Sequence, residues 1–345
     1  MRISVPLSYA IEPLAQVRMV VEMEQAGLDA VWVAETWGYD APSFMGYLAA
    51  RTSRIEIGAG VLSVYSRTPA LIAQSAAGVD ALSGGRCVLG LGTSGPQVVE
   101  GFHGVPFDRP MARLRETVDI CRAVWRREPL RYEGSAYTVP LAPGAGTGLG
   151  KPLKLLTRPP RTTIPIYLAT LRPRAVQLTA EVADGWYPLF FVAEAAPAVW
   201  GDALAAGTAR RSPALAPLEI CAGGVCAVGE GPDVAGLRDM ARSELALYIG
   251  GMGSRGRNYY NELFQAFGWE QAALEVQELF LAARREEAEA RLPADLVEAA
   301  TLCGPPAYLR ERIEQLRHAG VTMLNVRPVG PDPVRTIAAL RALAD

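Results

Sequence analysis

Residues 84–104 read GGRCVLGLGTSGPQVVEGFHG, an apolar run of strand length that passes straight into glycines and hydroxyl residues. Gly92, Gly95 and Gly104 let the backbone turn and approach a ligand closely, and Thr93 and Ser94 set hydroxyls beside the open amides. A joint of this kind suits a small organic cofactor. His103, near its end, could transfer a proton, although a single histidine near Phe102 and Phe107 is more often a hydrogen-bonded packing residue than a catalyst. Glu35 is the second candidate. It follows the apolar run AVWVA, and a carboxyl partly removed from water there has its pKa raised toward the range useful for proton transfer. It would donate a proton or anchor the polar edge of a ring; the plainer alternatives are an exposed loop acid or the partner of a nearby arginine. Gly90-x-Gly92-x-x-Gly95 also matches the dinucleotide-binding fingerprint. Pro96 follows at once, however, and Asp119 downstream lies inside a helical pattern, so the Rossmann reading is set aside.

Such residues act only if a scaffold gathers them. Short apolar strands are expected at 2–6, 30–34, 55–58, 87–91, 165–168, 185–189, 218–228 and 321–326. Helical patterns alternate with them at 13–25, 69–82, 111–126, 173–182, 193–207, 305–319 and 332–344. Strands apolar on both faces belong to a parallel sheet covered on both sides. Eight of them, alternating with helices and lacking a terminal nucleotide-binding half, predict a closed (β/α)8 TIM barrel rather than an open doubly wound sheet. The rhythm breaks at about 127–163, where Pro and Gly surround a small hairpin over 132–139, and at about 229–304, which is almost entirely helical in composition. Both are read as insertions in one domain spanning 1–345, with the charged run 284–291 a solvated helix face.

In a TIM barrel the active site lies at the C-terminal ends of the strands. The candidates are then Glu35 and Thr36 after the second strand, Gly60 and Val61 after the third, and Thr93, Ser94 and Gly95 after the fourth. Ala169, Thr170 and Arg172 follow the fifth strand, and Gly185 and Trp186 begin the sixth. Thr170 and Arg172 precede a helix opened by Pro173, where free amides and a guanidinium could hold a phosphate, with Arg174 a second cation. Arg255 and Arg257 lie in the glycine-rich loop GGMGSRGRN at 250–258, able to receive an anionic tail or simply to turn. Trp37, Tyr65 and Trp186 could wall an apolar ring, although aromatics at strand ends commonly fill core.

Basic and acidic residues, 34 and 36, are scattered and leave a net charge of -2, which argues against nucleic acid or an anionic membrane as the main partner. No apolar run approaches the roughly 20 residues of a spanning helix, and Met1 leads into a strand rather than a secretory leader, so a cytoplasmic location is expected. Five dispersed cysteines suit a reducing compartment, and two histidines are too few for a multi-histidine metal centre. No metal is expected, and redox chemistry needs an organic cofactor.

DALSGGRCVLGLGTSGPQVVEGFHG from Asp80 and GAGVLSVYSRTP from Gly58 resemble the luciferase-like monooxygenase superfamily. TSGPQVVEGFHG and GLGKPLKLL from Gly148 are similar to its branch of coenzyme F420-dependent oxidoreductases. The resemblance covers nearly the whole chain. It implies the barrel, a deazaflavin at its mouth with FMN as the alternative, and a non-prolyl cis peptide at Gly60–Val61 bulging against the cofactor's central ring. Many deazaflavin-using relatives carry a histidine straight after the matching acid, where this chain has Thr36. That departure turns the expectation from alcohol oxidation toward reduction of an activated C=C or C=N bond in a small-molecule or peptide substrate. The alternatives are a two-component FMN-dependent monooxygenase and a non-catalytic cofactor-binding barrel. Relatives often dimerise through barrel helices, and the small residues Ser75, Ala76, Ala77 and Gly78 suit close contact in a homodimer.

Overall fold

The computed structural model describes residues 1–9 and 11–344. Eight parallel strands form its centre: β1 (Arg2–Pro6), β2 (Ala30–Val33), β3 (Glu56–Ala59), β4 (Cys87–Gly92), β5 (Ile166–Leu168), β6 (Gly185–Trp186), β7 (Glu219–Ala222) and β8 (Met323–Asn325). They run in the order β3-β2-β1-β8-β7-β6-β5-β4, and Ile57 and Gly58 of β3 pair with Cys87 and Val88 of β4 to shut the cylinder. This is the closed TIM barrel that the alternation predicts. The helices around it mostly open on proline, whose missing N–H has no intrahelical acceptor in the first turn anyway.

Inside the cylinder Ala30, Trp32, Val88, Tyr167, Cys221 and Met323 form an apolar cluster of their own. The Trp32 and Tyr167 rings, 5.1 Å apart, fit because glycines face them. A methyl group built on Gly58 would lie 2.3 Å from the Trp32 ring, and one on Gly185 2.3 Å from the Tyr167 ring. Below these rings Arg2 bridges Glu56 and Glu219, and the Tyr167 hydroxyl donates to Glu219. Charges thus plug the N-terminal end of the barrel, and the opposite end carries the loops of the site.

Several elements differ from the sequence expectation. The apolar run at 218–228 is two strands: β7 stays in the barrel, whereas Val225–Val228 peels away to lie between Thr301–Gly304 and Arg327–Pro328 in a second parallel sheet. The break falls at Gly223 and Gly224, where added methyl groups would come within 2.4 Å of the Asn325 and Ala300 carbonyl oxygens. The insertion expected to be helical accordingly ends in a strand, Thr301–Gly304. Two helices, Ala41–Arg51 and Pro96–Gly101, were not expected at all. The hairpin at 132–139 is present, and buried Glu116 holds its turn by accepting from the amides of Ser135, Ala136 and Tyr137 at 2.8, 3.0 and 2.8 Å.

Candidate active site

The chain after β3 turns at once into a bulge: the Gly60–Val61 peptide is cis, as the resemblance implied. Gly60 donates its N–H to Val33 of β2 at 2.7 Å, and Val61 leans on β4. That contact requires glycine on β4, since methyl groups built on Gly90 and Gly92 would lie 1.9 Å from the Ala59 oxygen and 2.8 Å from Val61 Cγ2. Leu62–Ser63 then pairs with Leu91 and Gly92, which fixes the bulge beside Thr93. The ends of β3 and β4 therefore form one continuous shelf on the same side of the barrel. Thr93 is half-buried, Ser94 is exposed at φ 58°, and Gly95 precedes the short helix Pro96–Gly101.

Glu35 is not a free acid. Its carboxylate takes both ends of the Arg67 guanidinium, at 2.5 and 2.9 Å, and also accepts from the amide of Ala41 at 2.7 Å, the first residue of helix Ala41–Arg51. The hydrogen bond to Glu35 in turn strengthens the charge on Arg67. Of the alternatives open from sequence, the arginine partner is the one found, and Glu35 shapes the loop after β2. Thr36 donates to the Tyr9 hydroxyl at 2.9 Å. His103 is half-buried with its ring edge-on to Phe102, and Tyr65 stacks on Phe107 while its hydroxyl bonds the Asp108 carbonyl.

Ala169 and Thr170 continue from β5 beside Leu91, and Thr170 is buried with its hydroxyl on Thr179. Arg172 caps helix Pro173–Val182 from an exposed position, stacks 4.4 Å over the Tyr259 ring and lies 3.4 Å from Glu262, so it ties the loop after β5 to the helical insertion. Arg255 is engaged with Glu278 at 2.5 Å, and Arg257 is exposed. Trp186 corrects the expectation of a wall beside a ring. It faces the surrounding helices, fully buried against Phe191 and Trp200, with its Nε1 donating to the Thr170 carbonyl at 2.7 Å. Gly185 likewise makes room for Tyr167 inside the barrel, and Trp37 is exposed.

Because strand residues alternate in direction, the neighbour of Trp186 points inward. Tyr187 packs on Trp32 with ring centroids 4.8 Å apart, and its oxygen would be 3.5 Å from a methyl group built on Gly60. Asn325, at the end of β8, donates to that oxygen at 3.0 Å, and Ser4 of β1 donates to Asn325 Oδ1 at 3.1 Å. Burial pushes the Tyr187 phenol well up, Cys221 adds to this, and the Asn325 bond opposes it, so the oxygen keeps its proton at neutral pH. Beyond Tyr187, Phe190 meets Tyr248 and Tyr260 edge-on at 5.2 and 6.2 Å. These residues were missed from sequence. A polar residue within each of the largely apolar strands β1 and β8, Ser4 in the middle of the first and Asn325 at the end of the second, was the available signal.

A family model described as luciferase-like monooxygenase matches residues 1–323. The chain belongs to the luciferase-like monooxygenase family. This luciferase-like chain is 39% identical, over 99% of its length and 99% of the relative's, to the "Putative coenzyme F420-dependent oxidoreductase" of Mycobacterium tuberculosis. It is 27% identical to the 5,10-methylenetetrahydromethanopterin reductase of Archaeoglobus fulgidus, over 91% of this chain and 90% of that enzyme. Among solved structures, the coenzyme F420-dependent tetrahydromethanopterin reductase from Methanopyrus kandleri shares the fold, with a TM-score of 0.82 at 20% identity over 98% of this chain and 96% of that one. Among the described residues no helix is long and apolar enough to cross a membrane, and no group of His, Cys, Asp and Glu could hold a metal ion.

Proposed function

We propose that this chain is an oxidoreductase that holds coenzyme F420 at the barrel mouth and reduces an activated C=C or C=N bond in a small organic substrate. The observation that carries the reading is the bulge at Gly60 and Val61, which presents bare backbone to the mouth between Trp32, Tyr187 and the glycines of β4. A planar ring needs a flat support of this kind, and a side chain at residue 60 would meet Trp32 at 2.9 Å. When bound, the reduced deazaflavin supplies a hydride, and the protein provides placement, a proton and exclusion of water. Gly60 and Val61 would back the ring, with Thr93, Ser94 and Gly95 at its edge. Ala169, Thr170 and Arg172, with Arg174, would hold a phosphate at the start of helix Pro173–Val182. Arg255 and Arg257 would take the anionic tail, Arg255 by leaving Glu278. Glu35 and Arg67 keep the loop after β2 in shape, and His103 borders the shelf.

The reading includes a cytoplasmic homodimer. All five cysteines are free and buried, which suits a reducing compartment. Helices Ala41–Arg51 and Pro69–Ser83 pack side by side and expose Tyr47, Leu71, Gly78 and Leu82, with no charged residue on that surface except Arg51. Titrating the purified protein with F420 and with FMN tests the function. Saturable quenching of F420 fluorescence, and reoxidation of the reduced form by an enone under nitrogen, are expected. Preferential FMN binding with oxygen-dependent turnover would overturn the assignment.

A further inference from the structure

We infer that the hydroxyl of Tyr187, set in place by Asn325 and Ser4, delivers the proton that completes the reduction. The inference rests on the function proposed above and goes beyond it, because the two acids that the sequence offers do not fit the task. Glu35 has both oxygens on Arg67 and one on the Ala41 amide, so both are already engaged in holding the loop after β2. His103 sits just beyond the short helix after β4, its ring against Phe102.

Tyr187 has what those groups lack. Its oxygen stands over the Gly60 bulge, 3.5 Å from where a methyl group on that residue would be. The Trp32 ring packs against the phenol and keeps it from swinging into the barrel. Ser4 donates to Asn325 Oδ1, which orients the amide so that Nδ2 donates to the tyrosine oxygen. With one bond accepted there, the phenolic O–H has no acceptor among the described residues and remains free for a ligand in the mouth. The same amide bond would steady the phenolate once the proton has left.

For an α,β-unsaturated carbonyl the step balances simply. When bound, the reduced deazaflavin would supply the hydride for the new C–H bond at the β carbon and release one proton to solvent as it is oxidised, while the electrons of the C=C bond shift toward the carbonyl. The Tyr187 O–H bond breaks as the α carbon takes its proton, and the tyrosinate, held by Asn325, recovers a proton from water. One double bond is reduced by two electrons and two hydrogens.

The test uses the full chain, Tyr187→Phe and cyclohex-2-enone as the probe. F420 affinity, read by fluorescence, and thermal melting should be nearly unchanged in the variant, which separates a folding defect from a chemical one. Enone binding to the complex with oxidised F420 should weaken about tenfold, the effect of one lost hydrogen bond. Single-turnover reduction in D2O should slow about a hundredfold or more, and deuterium at the α carbon should lose its facial preference. Equal enone affinity, rate and facial preference in the two proteins would overturn the role of Tyr187 and leave the F420 assignment standing. Failure of the wild-type protein to bind F420 would remove that assignment instead. A wild-type complex that binds F420 but neither binds nor reduces the enone also counts against the proton-donor role.

Discussion

Arg67 and Glu35 are nearly enclosed, with side-chain exposures of 15% and 10%, so each depends on the other for its solvation. Removing one partner of such a pair leaves a charge without water or counterion, and the typical cost is about 3 kcal/mol. Arg67→Met should therefore destabilise the fold by about that much in urea denaturation. Adding Glu35→Gln should recover part of the loss, since glutamine can still accept from the Ala41 amide and brings no charge. A double variant no more stable than Arg67→Met would mean that Glu35 is not the residue left stranded. Glycines give a second contrast. Gly90→Ala would put a methyl group 1.9 Å from a backbone oxygen of the strand that carries the bulge, and it should cost about 2 kcal/mol or more together with F420 affinity. Gly236→Ala, in helix Pro232–Asp239 with open space around it, should stabilise by about 0.5–1 kcal/mol in the same assay.

At the scale of elements, single carboxylates tie neighbouring units together. Glu24, near the end of helix Pro13–Gln25, accepts from the amides of Ser53, Arg54 and Ile55 at 3.0, 2.7 and 3.0 Å, and so joins that helix to the turn before β3. Burial alone would raise its pKa, but the three amides and Arg54 outweigh burial and hold the carboxyl below the usual glutamate range. A depressed folded-state pKa means that the stabilisation is complete above the ordinary value and disappears as pH falls through the folded one. Glu24→Gln should be less stable than wild type at neutral pH, and the gap should close below about pH 4, read as urea midpoints across a pH series. Glu116→Gln should loosen the hairpin turn and cost about 1–3 kcal/mol, visible as faster amide exchange at 135–137. The barrel strands were legible because runs such as AVWV are apolar on both faces. The split at Gly223 and Gly224 was not, because two glycines inside an apolar run look like a weak strand rather than a change of sheet. Helix Ala41–Arg51 escaped because Gly46 interrupts it mid-length, although Asp40 accepting from the Ser43 amide and Pro42 in the first turn were local signs of its start. In the site, the shelf after β3 and β4 could be found from topology, whereas Arg67 and Asn325 act through partners 32 and 138 residues away in the chain.

At the scale of the whole molecule, one face carries no charge but Arg51, where most of the surface is mixed in charge. Helix Pro69–Ser83 contains one ionisable residue, Asp80, and that residue is fully buried with Arg161 and the Cys87 amide. Ala76 and Ala77, expected to serve contact between chains, already pack inside this one, so the residues left for a partner are Leu71, Gln74, Gly78 and Leu82, spaced along one side of the helix. Leu82 is 73% exposed and Leu71 47%, and Tyr47 of the adjoining helix adds 42%. Two such helix pairs meeting about a two-fold axis would bury this apolar stripe against its own copy, with Gly78 admitting close approach of backbones. Sedimentation should then report a dimer for the native chain. Gly78→Glu together with Leu82→Glu should give a monomer, because the facing copy would bring the same negative charges against them and the native face offers no cation but Arg51. Nothing within 4 Å would obstruct a side chain at residue 78 in the isolated chain, so the variant should fold, and retained F420 binding in the same sample would show that it has. A native monomer, or a dimer that survives both substitutions, would exclude this face as the contact.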